Sequence, residues 1–102
     1  FMRVGTMAYV GAMSKISKDV PPYMIAHGDP IQVRSFNRIG LERRGVDEAG
    51  RKAIKEAYRI LYRKEGLNAA EALDKIEAEV ELTAEIKHLL EFCRASEKGI
   101  TR

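Results

Sequence analysis

Phe36-Asn37-Arg38-Ile39-Gly40-Leu41-Glu42-Arg43-Arg44-Gly45 divides the chain into two kinds of sequence. Before it come short extended segments broken by Gly, Pro and Asp. After it, nearly everything repeats at helical spacing. Ser35 or Asn37 supplies a cap for a short helix through Arg43, and Gly45 supplies the left-handed stop just past its end. The stretch also sets Arg43 beside Arg44 at a junction between two architectures, where ligand clefts commonly form.

Upstream, an aliphatic residue recurs every six positions, in Val4-Gly5-Thr6-Met7-Ala8-Tyr9, then Val10-Gly11-Ala12-Met13-Ser14-Lys15, then the start of a third copy at Ile16-Ser17-Lys18. Small Ala8 and Ser14 follow four positions after each aliphatic residue. This is the layout of a hexapeptide β-helix, whose coils turn aliphatic side chains inward and place small residues at tight corners. A single alternating strand with a glycine turn is the competing reading. Stacked coils bury their cores only against neighbours, so the repeat predicts further coils before Phe1 and a chain that is the last turn of a longer solenoid, for example a cleavage product. Asp19-Val20-Pro21-Pro22-Tyr23 closes the repeat, because two prolines remove two backbone donors and suit an exit from the sheet. Short strands are predicted at Tyr23–Ala26 and Ile31–Arg34, around a His27-Gly28-Asp29-Pro30 turn.

Downstream, Asp47 caps a helix predicted from Glu48 to about Lys64, with Ile54, Ala57, Tyr58 and Leu61 on one face and Gly66 beyond it. Asn68 and Glu71 form a capping box for a third helix whose inner face is Ala69, Leu73, Ile76 and Val80. Thr83 starts a fourth, with Ile86, Leu89, Leu90 and Cys93 on one stripe, ending near Gly99. The tail half therefore reads as a small helical bundle docked on the end of a β-solenoid, where it covers the open edge.

At 102 residues, 45% hydrophobic and 32% charged, the chain has the make-up of one soluble globular domain. A net charge of +3 is a weak bias and no polyanion-binding signature. Cys93 is the one cysteine, which rules out an intrachain disulfide and fits a reducing compartment. No apolar run approaches the ~20 residues of a membrane span. The N-terminus lacks a signal-peptide layout, so a cytoplasmic location without membrane insertion is expected.

Catalytic chemistry is hard to assemble from these residues. His27, His88 and Cys93 are scattered and give neither a nucleophile–base pair nor metal-ligand spacing, and there is no glycine-rich phosphate loop. No catalytic residue, metal or cofactor is assigned. Arg43 and Arg44 remain: paired guanidiniums can grip a diphosphate from two directions, but Arg-Arg near a helix C-terminus also simply complements the helix dipole. Asn37 can hydrogen-bond a base or sugar, or can merely cap.

The end of a hexapeptide repeat, then D-V-P-P-Y-M-I-A-H-G-D-P, then F-N-R-I-G-L-E-R-R-G, then K-E-A-Y-R-I-L-Y-R and the terminal G-I-T-R, together resemble the acyl-[acyl-carrier-protein]:UDP-N-acetylglucosamine O-acyltransferases. The likeness runs the whole length. It implies a mainly α chain, a C-terminal helical bundle attached to the final coil of a left-handed parallel β-helix. Residues 1–18 would be the end of the β-helix, 19–34 an extended connector and 35–102 the C-terminal helical domain. The intact enzyme would be a homotrimer moving an (R)-3-hydroxyacyl chain from acyl carrier protein to the 3-hydroxyl of UDP-N-acetylglucosamine, the first step of lipid A biosynthesis. A β-helix histidine, upstream of Phe1, would act as general base without metal, leaving these residues inactive by themselves. The motif places Asn37 on the uridine side and Arg43 and Arg44 on the diphosphate side. Ile39 stands where many members carry Glu, which removes one polar group from the uridine contacts.

Two alternatives differ in class. One is an amino-sugar N-acyltransferase of the same fold, separable by assaying both sugar nucleotides. The other is a non-catalytic helical module gripping acidic acyl carrier protein through basic side chains. Nucleic acid is not an expected partner, because Lys and Arg are interleaved with Glu and Asp rather than gathered on one face.

Overall fold

The computed structural model describes residues 2–12 and 14–102. Phe1, and Met13 of the second six-residue copy, lie outside the described residues. A three-stranded sheet is formed by β1 (Tyr9–Val10), β2 (Met24–His27) and β3 (Gln32–Phe36), in that order. Four α-helices follow: α1 (Arg38–Arg43), α2 (Glu48–Tyr58), α3 (Ala69–Glu79) and α4 (Ala84–Arg94). A π-helical turn, Arg59–Arg63, continues α2.

β2 pairs parallel with β1 and antiparallel with β3. The parallel register is constant: Val4 bridges Val20, Tyr9 faces Ile25 and Val10 faces Ala26, each partner sixteen residues on. Met7 and Tyr23 stand at the same separation, and both adopt positive φ, 57° and 69°. One circuit of chain is thus laid directly on the previous one, corner over corner. The stretch predicted as a connector, 19–34, carries the second of these layers and is itself paired.

The two prolines fit between the layers at no cost in hydrogen bonds. Val20 N donates to Arg3 O and Tyr23 N to Thr6 O, both at 2.8 Å, and the two intervening positions have no N–H to satisfy. Pro21 and Pro22 are fully buried. A Cβ on Gly5 would come within 2.6 Å of the Pro22 Cα, and one on Gly11 within 2.7 Å of the His27 Cβ. The glycines of the six-residue pattern are the places where the layers approach most closely.

The helical starts follow the sequence closely. Asn37, Asp47, Asn68 and Thr83 each cap a helix through a side-chain oxygen, and Asn68 with Glu71 closes a full capping box. Two helix ends and one inner-face position differ from expectation. The helix predicted through Lys64 is α-helical only to Tyr58, then widens into the π turn. The fourth helix ends at Arg94, not near Gly99, and Gly99–Thr101 forms an isolated parallel bridge with Asp19: Asp19 N donates to Gly99 O and Thr101 N to Asp19 O. On α3, Ala72 is buried beside Leu73 and Ile76 while Ala69 is only partly covered.

The core lies where the apolar faces of α2, α3 and α4 meet, around Ile54, Leu61, Ile76, Ile86 and Leu89. Tyr23 and Met24 from the sheet side, Leu41 from α1 and Ile100 from the C-terminal segment complete it. The bundle and the sheet share one core, so α1 is held rigidly between them.

Candidate functional site

α1 is a six-residue helix fixed at both ends. At its start, Asn37 Oδ1 accepts from Gly40 N at 3.0 Å and Nδ2 donates to Met7 O at 2.9 Å, while Asn37 N donates to Tyr23 O at 2.6 Å. One residue thereby binds both stacked corners and the first turn of the helix. Each side-chain atom has capacity left, since an amide nitrogen carries two hydrogens and its oxygen two lone pairs. A Cβ on Gly40 would strike the Asn37 amide, so this arrangement needs glycine there.

At its other end, Gly45 N donates to Glu42 O and Val46 N to Leu41 O, both at 3.1 Å, with Gly45 at φ 77°. This is a full Schellman stop, sealed by contact of Val46 with the core around buried Leu41. Arg43 is the last helical residue and Arg44 the cap. Both are exposed, and among the described residues neither guanidinium takes part in an ion pair or side-chain hydrogen bond. They project from a rigid terminus with their donors free.

An open cleft of about 400 Å³ lies beside the start of α1, lined by Ile25, Ser35, Phe36, Asn37, Arg38, Ile39 and Lys55. Asn37 is in its wall. Arg43 and Arg44 are not; they lie one helix length away, ~9 Å along the axis at 1.5 Å per residue. The short helix therefore presents the amide beside the cleft and the arginine pair at its far end. Ile39 is 59% exposed and gives the cleft an apolar lip. Arg38 and Lys55 add two cations that sequence reasoning missed. Arg38 was visible as the neighbour of Asn37, whereas Lys55 reaches the cleft from α2 and has no local signal.

The histidines stay apart. His27 is exposed at the end of β2. His88 is partly buried on α4, with Nε2 3.2 Å from Thr6 Oγ1 and its ring edge-on to Tyr23. Burial, reinforced by Glu85, pushes the Tyr23 hydroxyl up to about 12. Cys93 lies on the inner stripe of α4; burial pushes its thiol up to about 12 as well, against the pull of Arg3, and removes it as a nucleophile. Among the described residues no group of three or more His, Cys, Asp or Glu side chains could hold a metal ion. No described helix is long and apolar enough to cross a membrane.

Known proteins carry the same fold. The family described as UDP N-acetylglucosamine O-acyltransferase, domain 2, matches residues 19–101. The acyl-[acyl-carrier-protein]–UDP-N-acetylglucosamine O-acyltransferase of Syntrophobacter fumaroxidans is 45% identical over 99 residues, covering 96% of this chain and 38% of that protein. The enzyme of the same name from Paracidovorax citrulli is 42% identical over 106 residues, covering all of this chain and 40% of its own length. Among solved structures, a UDP-N-acetylglucosamine acyltransferase from Bacteroides fragilis superposes with a TM-score of 0.95 at 45% identity, over 100% of this chain and 40% of that one. The chain spans about two-fifths of the length of these relatives.

Proposed function

Because the chain belongs to the UDP-N-acetylglucosamine O-acyltransferase family, we propose that it is the C-terminal part of an enzyme moving an (R)-3-hydroxyacyl chain from acyl carrier protein to the 3-hydroxyl of UDP-N-acetylglucosamine. The reaction opens lipid A biosynthesis and takes place in the cytoplasm. The observation that carries this is the family match over residues 19–101, which contains the whole of α1 and both of its fixed ends.

The role of these residues is to hold the sugar nucleotide. Arg43 and Arg44 grip the diphosphate, each through charge-assisted hydrogen bonds from donors that have no other partner among the described residues. Asn37 meets the uridine side with its spare N–H and lone pair, and Ile39 supplies an apolar surface beside it. Arg38 and Lys55 add positive charge at the same cleft. The general base is a histidine of the β-helix that does not belong to these 102 residues. It removes the proton from the sugar hydroxyl, whose oxygen attacks the thioester carbonyl; the C–S bond then breaks and the departing carrier-protein thiolate takes that proton back from the imidazolium. The stacking of residues 19–26 on residues 3–10 at a constant sixteen-residue offset supports a solenoid coil as the attachment point, and a homotrimer of such solenoids is the assembly this reading expects.

The deciding experiment uses the full-length protein with (R)-3-hydroxyacyl carrier protein, offering UDP-N-acetylglucosamine and its 3-amino analogue separately. Ester formation on the first supports the proposal. Amide formation on the second alone would assign the chain to the N-acyltransferase variant. Carrier-protein binding without transfer to either would make it a binding module.

A further inference from the structure

A second pocket lies on the face formed by β3, the π turn and the C-terminal Arg102. It is an open depression of about 250 Å³ whose lining includes Gln32, Arg34, Tyr58, Tyr62, Arg63 and Arg102. Three arginines line it from three separate parts of the chain, and no Asp or Glu side chain does. None of the three has an ion-pair partner within 4 Å among the described residues.

The π turn builds this arrangement. At 3.6 residues per turn, side chains five apart on a helix point ~140° away from one another. The i→i+5 spacing of the π turn brings Arg63 back over Tyr58: Arg63 Nε donates to Tyr58 Oη at 3.0 Å and the guanidinium carbon sits 5.7 Å from the ring centre. Tyr58 Oη in turn donates to Arg34 O at 2.9 Å, and Tyr62 Oη to Thr101 O at 2.9 Å, so the two tyrosines join the three walls. Arg102 is anchored by Nη2, which donates to Leu61 O at 2.8 Å and Leu67 O at 3.3 Å. Arg34 donates from Nε to His27 O at 3.4 Å. Each arginine is held by one nitrogen, and its other donors have no partner among the described residues, which leaves forked donors of the kind that suit tetrahedral oxyanions.

We propose that Arg34, Arg63 and Arg102 form a binding site for a phosphate group, either free phosphate or the terminal group of a phosphomonoester. At ~30 Å³ per water the pocket holds about eight waters, room for a phosphoryl group with a short substituent. The site uses none of the residues assigned to the sugar nucleotide.

The test is titration of the full-length protein with inorganic phosphate, and separately with glycerol 3-phosphate, at constant ionic strength, following the arginine Nε–H signals by NMR. Saturable shifts confined to Arg34, Arg63 and Arg102 are expected. Tighter binding of glycerol 3-phosphate points to a phosphomonoester, and equal binding to the free anion. Arg34→Gln, on an exposed strand position, should weaken binding about tenfold with an unchanged thermal melt. Arg63→Gln should do the same, and if it unfolds the chain Arg34→Gln alone decides. Arg43→Ala/Arg44→Ala should leave phosphate binding here intact. Shifts of equal size at Arg43 and Arg44, absence of saturation, or wild-type affinity in Arg34→Gln would overturn the proposal.

Discussion

Asn37 Nδ2 donates to the carbonyl oxygen of Met7, 2.9 Å away and thirty residues earlier in the chain. With its own amide on Tyr23 O and its Oδ1 on Gly40 N, Asn37 fastens the helical bundle to two stacked corners of the extended region. A residue that looks like a helix cap is therefore also the joint between the two halves. Asn37→Asp keeps the oxygen that caps α1 and loses the bond to Met7, whereas Asn37→Ala loses both. Loss of a cap alone costs about 1 kcal/mol, and the stranded Met7 carbonyl adds to this. Urea melts should rank wild type above Asn37→Asp and Asn37→Asp above Asn37→Ala. Equal stability of all three would show that the joint carries no weight.

The arginine pair should behave in the opposite way. Arg43 and Arg44 are exposed and, among the described residues, make no ion pair, so Arg43→Ala/Arg44→Ala is expected to shift the melt by less than about 0.5 kcal/mol. In the full-length protein the same change should weaken UDP-N-acetylglucosamine binding by about a hundredfold, from two lost charge-assisted contacts. Calorimetry showing unchanged affinity would remove both residues from the proposed nucleotide site.

The six-residue pattern makes a prediction about size. A Cβ on Gly5 meets the Pro22 backbone, which has no freedom to move inside a buried layer. Gly45 has open space around it and pays only for its φ of 77°. Gly5→Ala should cost about 3 kcal/mol or more through overpacking, and Gly45→Ala about 1 kcal/mol. Denaturant midpoints of the two variants measure the difference, and the reverse order would mean that the layers are loosely stacked.

Asp19 gives a pH dependence. Its carboxylate is 2% exposed; Oδ1 accepts from Arg3 N and Oδ2 from Ser96 Oγ, each at 2.7 Å, with the Arg3 guanidinium beside it. Burial pushes the carboxyl up, but the Arg3 amide, the Ser96 hydroxyl and the Arg3 charge together outweigh it and hold the group below its usual 3.8. The folded chain therefore binds this proton less readily than the unfolded one. The resulting stability is fully present above about pH 3.8 and is lost as pH falls through the lowered folded-state value. Asp19→Asn should destabilise the chain by about 1–3 kcal/mol at pH 7, with the gap to wild type narrowing below pH 3.8. A gap that stays constant on acidification would contradict this.

Cys93 should be silent toward alkylation. With burial holding the thiol near 12, almost no thiolate exists at pH 8. Iodoacetamide should label the urea-unfolded chain and spare the folded one, and equal rates in both would place the side chain at the surface.

The starts and inner faces of the helices are legible in neighbouring residues alone. Side-chain caps, left-handed glycines and apolar spacing act over three or four residues, so Asp47, Asn68 and Thr83 could be identified without any distant partner and each caps its helix, while the first cap, open between Ser35 and Asn37 in sequence, is Asn37. The six-residue aliphatic-glycine pattern pointed to layering within residues 4–18, whereas the layers observed are sixteen residues apart and the second lies in the stretch read as a connector. What depends on residues far apart in the chain appeared only with the fold. It stacked 19–26 on 3–10 and set Gly99–Thr101 against Asp19, with α4 ending at Arg94. The widening of α2 into a π turn, and the lining of one pocket by Arg34, Arg63 and Arg102, likewise emerged only there. The physical reason is range: local hydrogen bonds are written in neighbouring letters, whereas pairing between distant segments is selected only when a shared core brings them together.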